Sequence, residues 1–183
     1  MKKIMFAAIL SIASLSISAQ QEDLPENTLG DNELKINVTN LVIFKWLDVG
    51  YEKILNEESS VGVGLLFALD NDDDISLDEY RTFSLTPYYR HFFGKKYAQG
   101  FFVEGFGMVH SGKDEFYTPN NGGSGTYNEE TYTDFAVGVS IGTKIVSKRG
   151  FVAEIYAGIG RDLFGNSDIE IVSRGGISLG YRF

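Results

Sequence analysis

Phe135-Ala136-Val137-Gly138-Val139-Ser140-Ile141-Gly142-Thr143-Lys144-Ile145 is the stretch whose reading decides the fold. Phe135, Val137, Val139, Ile141 and Ile145 fall on one parity, and Gly138, Ser140, Gly142 and Lys144 on the other. Period two is the spacing of a strand, whose successive side chains point to opposite faces. One face is greasy. The other is small, polar and charged.

Working outward, the same alternation recurs in stretches separated by Gly, Asn, Asp, Ser and Lys clusters. They cover 33–44, 46–55, 60–69, 80–93, 100–110, 131–146, 151–161 and 171–183. Val61, Val63, Leu65 and Phe67 oppose Gly62 and Gly64; Ile155 and Ile159 oppose Gly158 and Gly160; Ile177, Leu179, Tyr181 and Phe183 oppose Ser178 and Gly180. A soluble sandwich or barrel turns its large residues inward and its charges outward. Here the charges share a face with the glycines, where the enclosed space is narrow, so the greasy face is the outer one. That inversion belongs to a barrel whose solvent is lipid. The pattern predicts an all-β fold, an eight-stranded antiparallel up-and-down transmembrane β-barrel over residues 33–183.

Two regularities support this. On the greasy parity, Phe44, Phe67, Phe83 and Phe135 fall near one set of strand ends, and Phe93, Phe101, Phe151 and Phe183 near the other, as the paired aromatic girdles of a membrane barrel would. The connections alternate in length. Short turns at 56–59, 94–99 and 147–150 would lie on the side of the termini; longer loops at 70–79, 111–130 and 162–170 would lie on the other, with one tight connection near Lys45.

The N-terminal segment carries its own signal. Lys2 and Lys3 precede the apolar run Ile4–Leu15, and Ser16-Ile17-Ser18-Ala19 supplies small residues for cleavage. Residues 1–19 therefore read as a secretory signal peptide and 20–32 as a flexible acidic leader. Twelve residues, two of them serine, are too few for a spanning helix. Removing Lys2 and Lys3 shifts the net charge of the 183-residue chain from −9 to −11. This acidity argues against nucleic acid as a partner. The absence of cysteine excludes disulfides, thiolate metal sites and thiol catalysis. With only two histidines, no metal site and no cofactor are expected.

The chain ends Gly180-Tyr181-Arg182-Phe183 on an outward-facing strand. Tyr181 and Phe183 resemble the terminal signal that the barrel assembly machinery reads in outer-membrane proteins. With the signal peptide and eight strands, residues 33–183 resemble the small barrels of the OmpA transmembrane-domain and OmpX type. Phe83-Ser84-Leu85-Thr86-Pro87-Tyr88-Tyr89-Arg90 and Phe101-Phe102-Val103-Glu104-Gly105-Phe106-Gly107 are similar to segments of small outer-membrane barrels of Bacteroidota. The resemblance implies a monomer in a Gram-negative cell envelope, in contact with outer-membrane lipid and lipopolysaccharide and assembled by the barrel machinery.

Inward parity gathers Lys35, Arg90, Lys144, Arg174 and Arg182 with Asp48, Glu52, Glu104, Asp134 and Glu154. An eight-stranded lumen is just wide enough for side chains to fill, and unpaired charges there are costly. A salt-bridged plug is therefore expected, with Arg90 on Glu104, Lys144 on Glu154, Lys35 on Glu52, and Arg182 beside Glu154 and Lys35. A gated ion path or proton relay is the functional alternative. The role expected is structural or one of surface contact: membrane integrity, adhesion, or recognition by outer loops such as 111–130.

Two further features invite chemistry. His110-Ser111 at a strand end, with Asp114 and Glu115 close behind, would suit an outer-leaflet lipid-modifying hydrolase if base and hydroxyl met. Neighbours on a strand point apart, so the pair would have to leave strand geometry. The run Asp70-Asn71-Asp72-Asp73-Asp74 invites calcium, but an EF-hand would need glycine at Ile75 and glutamate at Arg81. A third reading is a secreted, lipocalin-like barrel binding a small apolar ligand.

Overall fold

The computed structural model describes residues 29–69, 81–94, 96–119, 125–164 and 171–183; within 113–119 and 125–130 it describes the backbone alone. The expected signal peptide, most of the leader, and the Asp70–Asp74 run lie outside the described residues. Eight strands pair in sequence order, each antiparallel to the next, and the last closes on the first. They are β1 (Asn32–Asn37), β2 (Trp46–Asn56), β3 (Ser59–Ala68), β4 (Arg81–Phe93), β5 (Gly100–Pro119), β6 (Gly125–Val146), β7 (Phe151–Asp162) and β8 (Ile171–Arg182). Reciprocal bonds Asn32 N to Phe183 O (3.1 Å) and Phe183 N to Asn32 O (2.8 Å) fasten the closure at its lower end.

The three short turns share that end. Asn56 Oδ1 accepts from Glu58 N at 2.9 Å, an Asx turn that reverses the chain in two residues. The end of β4 and the segment after it fold against this turn through Phe92 N to Glu58 O and Ala98 N to Glu57 O, both 2.7 Å. In the third, Gly150 adopts φ +86°, and an added Cβ would lie 2.6 Å from Arg182 O, so both conformation and space require glycine.

The first expected strand is only half a strand. Residues 33–37 pair with β2 and β8, but Val38–Ile43 form a one-and-a-half-turn helix, α1. Val38, Val42 and Ile43 favour strands by stiffness at χ1. The helix forms because Asn37 caps it, its Oδ1 accepting from Asn40 N at 3.1 Å. Phe44 becomes the helix C-cap and packs on Trp46 at 5.2 Å. The expected loop 111–130 is also revised. β5 and β6 continue as a paired hairpin from Ser111↔Thr133 to Pro119↔Gly125, leaving 120–124 outside the described residues. The Phe116-Tyr117-Thr118 and Thr126-Tyr127 segments have the β-favouring composition that sustains such a ladder.

Side-chain parity follows the alternation, with one correction. The inward face is not merely small and polar. Tyr88, Phe92, Phe102, Phe106, Met108 and Tyr156 are buried inside it. Glycines on neighbouring strands make room for them: a Cβ on Gly142 would sit 2.6 Å from Phe102 Cζ and 2.7 Å from Tyr156 Cβ. Small and large residues alternate around the lumen because its width is fixed by strand number. Outward, Phe67 packs on Phe83 (5.3 Å) and Phe93 on Phe101 (5.9 Å), at opposite ends of the wall.

Gly142→Val is therefore expected to lower stability by about 1–3 kcal/mol through overpacking. Gly105→Val, on the outer face with nothing within 4 Å of its Cβ, should be neutral or stabilising. Urea midpoints of the two variants refolded in detergent check the contrast.

Candidate functional site: the charged lumen

The lower lumen is organised around four buried glutamates. Glu52, on β2, receives Lys35 from β1, Lys144 Nζ from β6 (2.5 Å) and Arg90 Nη1 from β4 (2.9 Å). Ser60 Oγ (2.6 Å) and Tyr88 OH (3.3 Å) also donate to it. Glu154, on β7, accepts from Lys35 Nζ at 2.9 Å and from Arg90 Nη1 and Nη2 at 2.8 and 3.2 Å. Glu104, on β5, accepts from Arg90 Nε (2.6 Å), Arg174 Nη1 (2.8 Å) and Ser140 Oγ (2.9 Å). Glu33, on β1, takes Arg182 Nε and Nη2 at 2.8 and 2.6 Å and Lys144 Nζ at 2.8 Å.

Each cation also meets something other than a single carboxylate. Arg182 donates to the carbonyls of Tyr97 and Ala98, tying the plug to the 94–99 turn. The Arg90 guanidinium lies 4.3 Å from the Phe102 ring centre and 4.6 Å from that of Tyr88; Lys144 Nζ lies 4.8 Å from that of Phe92. Cations on aromatic faces gain where water is excluded. Thus the inward aromatics belong to the same assembly as the charges.

Eight of the ten inward charges named from the sequence, Lys35, Glu52, Arg90, Glu104, Lys144, Glu154, Arg174 and Arg182, lie in this assembly. Their pairing differs in part. Arg90 meets Glu104 and Lys35 meets Glu52. Lys144 faces Glu154 across the β6–β7 register, yet it reaches instead to Glu33 and Glu52. Arg182 turns to Glu33 rather than Glu154. Glu33 is the residue the sequence reading missed. Its signal was its parity with Lys35 one rung inside a strand that was counted from 33 onward. Asp48 stands above the plug, its Oδ2 held by Asn40 Nδ2 (2.7 Å) and Asn37 Nδ2 (3.1 Å). Asp134 caps backbone, accepting from Phe135 N at 2.7 Å and Phe164 N at 3.3 Å.

The structure does not bring His110 and Ser111 together. His110 is buried inside, its Nε2 2.9 Å from Asp162 Oδ1 and its ring edge-on to Tyr132. Ser111 points the other way, opposite Phe83 and Thr133, and its carbonyl accepts from Thr82 Oγ1. The side chains of Asp114 and Glu115 lie outside the described residues. Asp162 was unforeseen because it sits at the last rung of β7, where a loop was expected to begin. Among the described residues no cluster of three or more His, Asp or Glu could hold a metal ion.

Above the plug, the lumen opens into a cavity of about 550 Å³ bounded by Asp48, Leu66, Ser84, Thr86, Met108 and Arg174. The barrel is thus solid below and hollow above.

Glu104→Ala removes one acceptor from each of Arg90, Arg174 and Ser140 at once. Stability should fall by about 3–5 kcal/mol, the cost of orphaning buried charge. A loss below about 1 kcal/mol, the range of exposed pairs, would mean that water already fills the lumen. Equilibrium unfolding in urea reads the difference.

The chain matches no family model, no curated protein and no solved structure.

Proposed function

We propose that this chain is an integral outer-membrane β-barrel with a structural or surface-contact role, its lower lumen closed by the salt-bridged plug. One observation carries the reading: burial is inverted. Glu33, Glu52, Glu104, Arg90 and Lys144 are almost wholly buried, while Ile145, Val139 and Ile159 are 62%, 58% and 57% exposed. Water would favour the opposite arrangement, at about 25 cal/mol for each Å² of apolar surface left wet. Hydrocarbon removes that cost.

Dimensions agree. β7 and β8 have twelve residues each. At a rise of about 3.3 Å per residue and a tilt of about 40°, each spans roughly 30 Å, enough for an apolar band of about 25 Å. Tyr181 on β8 and Phe183 just past its end stand exposed, accessible to an assembly factor. With the lower lumen filled, passive diffusion of solutes is not the role we assign. The paired β5–β6 hairpin, which extends beyond the other strands, is the element we assign to surface contact.

Cell fractionation with semi-native electrophoresis tests this. The protein should co-sediment with outer membranes and migrate faster unboiled than boiled. Recovery in the soluble fraction without detergent, with no heat-dependent shift, would overturn it in favour of a secreted barrel.

A further inference from the structure

The upper cavity is closed at its side and reaches the upper rim. β1 stops at Asn37, paired with Ser178, whereas β8 runs on to Ile171. Helix α1 covers the edge of β8 that this difference leaves: Ile177 N donates to Thr39 Oγ1 (2.9 Å), and Gly175 O accepts from Asn37 Nδ2 (3.0 Å). Gly176 lets α1 come close: its φ is +133°, and a Cβ there would lie 2.6 Å from Asn37 Oδ1. Trp46, Arg81 and Ile171 are the first residues of β2, β4 and β8, and all three line the cavity, so it extends to that end of the barrel.

Charge organises the floor of this cavity. The plug sets five cations against four glutamates, a surplus of one positive charge. Arg174 carries that surplus upward: its side chain is 11% exposed, and those of Lys35, Arg90, Lys144 and Arg182 are 3% exposed or less. Asp48 is the matching negative charge. It is held by amides, and among the described residues it joins no ion pair. Each of the two keeps an unused atom. Asp48 takes both asparagines on Oδ2, which leaves Oδ1. Arg174 gives Nη1 to Glu104, which leaves Nη2, 3.9 Å from where a Cβ on the cavity-lining Gly64 would stand. Neither atom is sealed in by protein, so both open on the cavity.

A carboxylate oxygen and a guanidinium nitrogen facing one space demand opposite charges of a guest. A simple anion is repelled by Asp48, and a simple cation by Arg174; a zwitterion satisfies both. The apolar part of the lining is Leu66, Met108 and the rings of Phe44 and Trp46, which pack 5.2 Å apart and offer a third ring its preferred neighbours. The volume, about 550 Å³, is that of a small-molecule site. We propose that the upper cavity binds a zwitterionic α-amino acid with an aromatic side chain, its ammonium donating to Asp48 Oδ1, its carboxylate accepting from Arg174 Nη2 and its ring against Phe44 and Trp46.

Trp46 is the single tryptophan of the chain, so its fluorescence reports the site. The test is a titration of the detergent-refolded protein with L-phenylalanine, phenylalaninamide and N-acetylphenylalanine. L-Phenylalanine should give a saturable change. The amide lacks the carboxylate and the N-acetyl derivative lacks the ammonium, so each should bind about ten-fold more weakly or worse, the worth of one hydrogen bond between charged groups. Asp48→Asn should weaken L-phenylalanine to the same degree and leave N-acetylphenylalanine as it was. Gly64→Leu is the second variant should the first not fold: its Cβ meets nothing closer than 3.8 Å, and the side chain fills the space beside Arg174 without removing a charge, so the saturable change should vanish. An amide that binds as well as L-phenylalanine would overturn the proposal, leaving a cation site at Asp48. Equal binding of N-acetylphenylalanine would overturn it too, leaving an anion site at Arg174. No saturable change with any of the three would also overturn it, Asp48 then being only the counter-charge that the plug lacks. The site depends on the cavity and not on what bathes the outer wall, so each of these results leaves the membrane reading to its own test.

Discussion

Five side chains converge on the carboxylate of Glu52: Lys35, Lys144, Arg90, Ser60 and Tyr88. They come from β1, β6, β4 and β3, so one buried acid on β2 ties together elements distributed around the barrel. A carboxylate removed from water carries a desolvation penalty that only several donors can offset. Glu33, Glu104 and Glu154 meet the same requirement with shared cations, and the plug holds as a set. The rest of the lower lumen is arranged around it: aromatic faces under Arg90 and Lys144, and glycines on neighbouring strands to admit those rings.

The two halves of the lumen solve different problems. Below, charge and ring pack closely, and Arg182 extends the network to the carbonyls of Tyr97 and Ala98. Above, Asp48 is held by two asparagines and Arg174 lies over Tyr88, Phe106 and Tyr156, at 5.2–5.4 Å from their ring centres, so space remains beside them. The short helix α1 is the reason the upper wall differs. A strand there would have supplied backbone partners to β8 at every second residue. The helix supplies Asn37 and Thr39 instead, and leaves a seam of side chains.

Much of this was legible. Stretches such as 135–145 declare strand and facing together, because period two admits no other regular element, and eight of the ten lumen charges named by parity lie in the plug. The misreadings have separate physical causes. Val38-Thr39-Asn40-Leu41-Val42-Ile43 has strand composition, and only the Asn37 cap, with a position for α1 against Gly176, overrides it. Tyr88, Phe102 and Phe106 depart from the small-residue pattern expected of their face, and the glycines of adjacent strands supply their space. Glu33 and Asp162 sit at strand ends, where parity is counted least securely. His110 and Ser111 are neighbours in sequence and are separated by the pleat.

Alternation, glycine placement and balanced inward charge are local properties of the chain, and they determine that it forms strands, how many, and which face is greasy. Which cation meets which glutamate is not local. Lys144 passes over Glu154, its neighbour in register, for Glu33 and Glu52, because strand tilt and lumen width decide which ends of long side chains coincide. The seam beside α1 likewise exists only once β8 is closed against β1 and found to be longer. Sequence specifies facing through a repeat of two residues; closure of the barrel specifies partners through distances that span the whole chain.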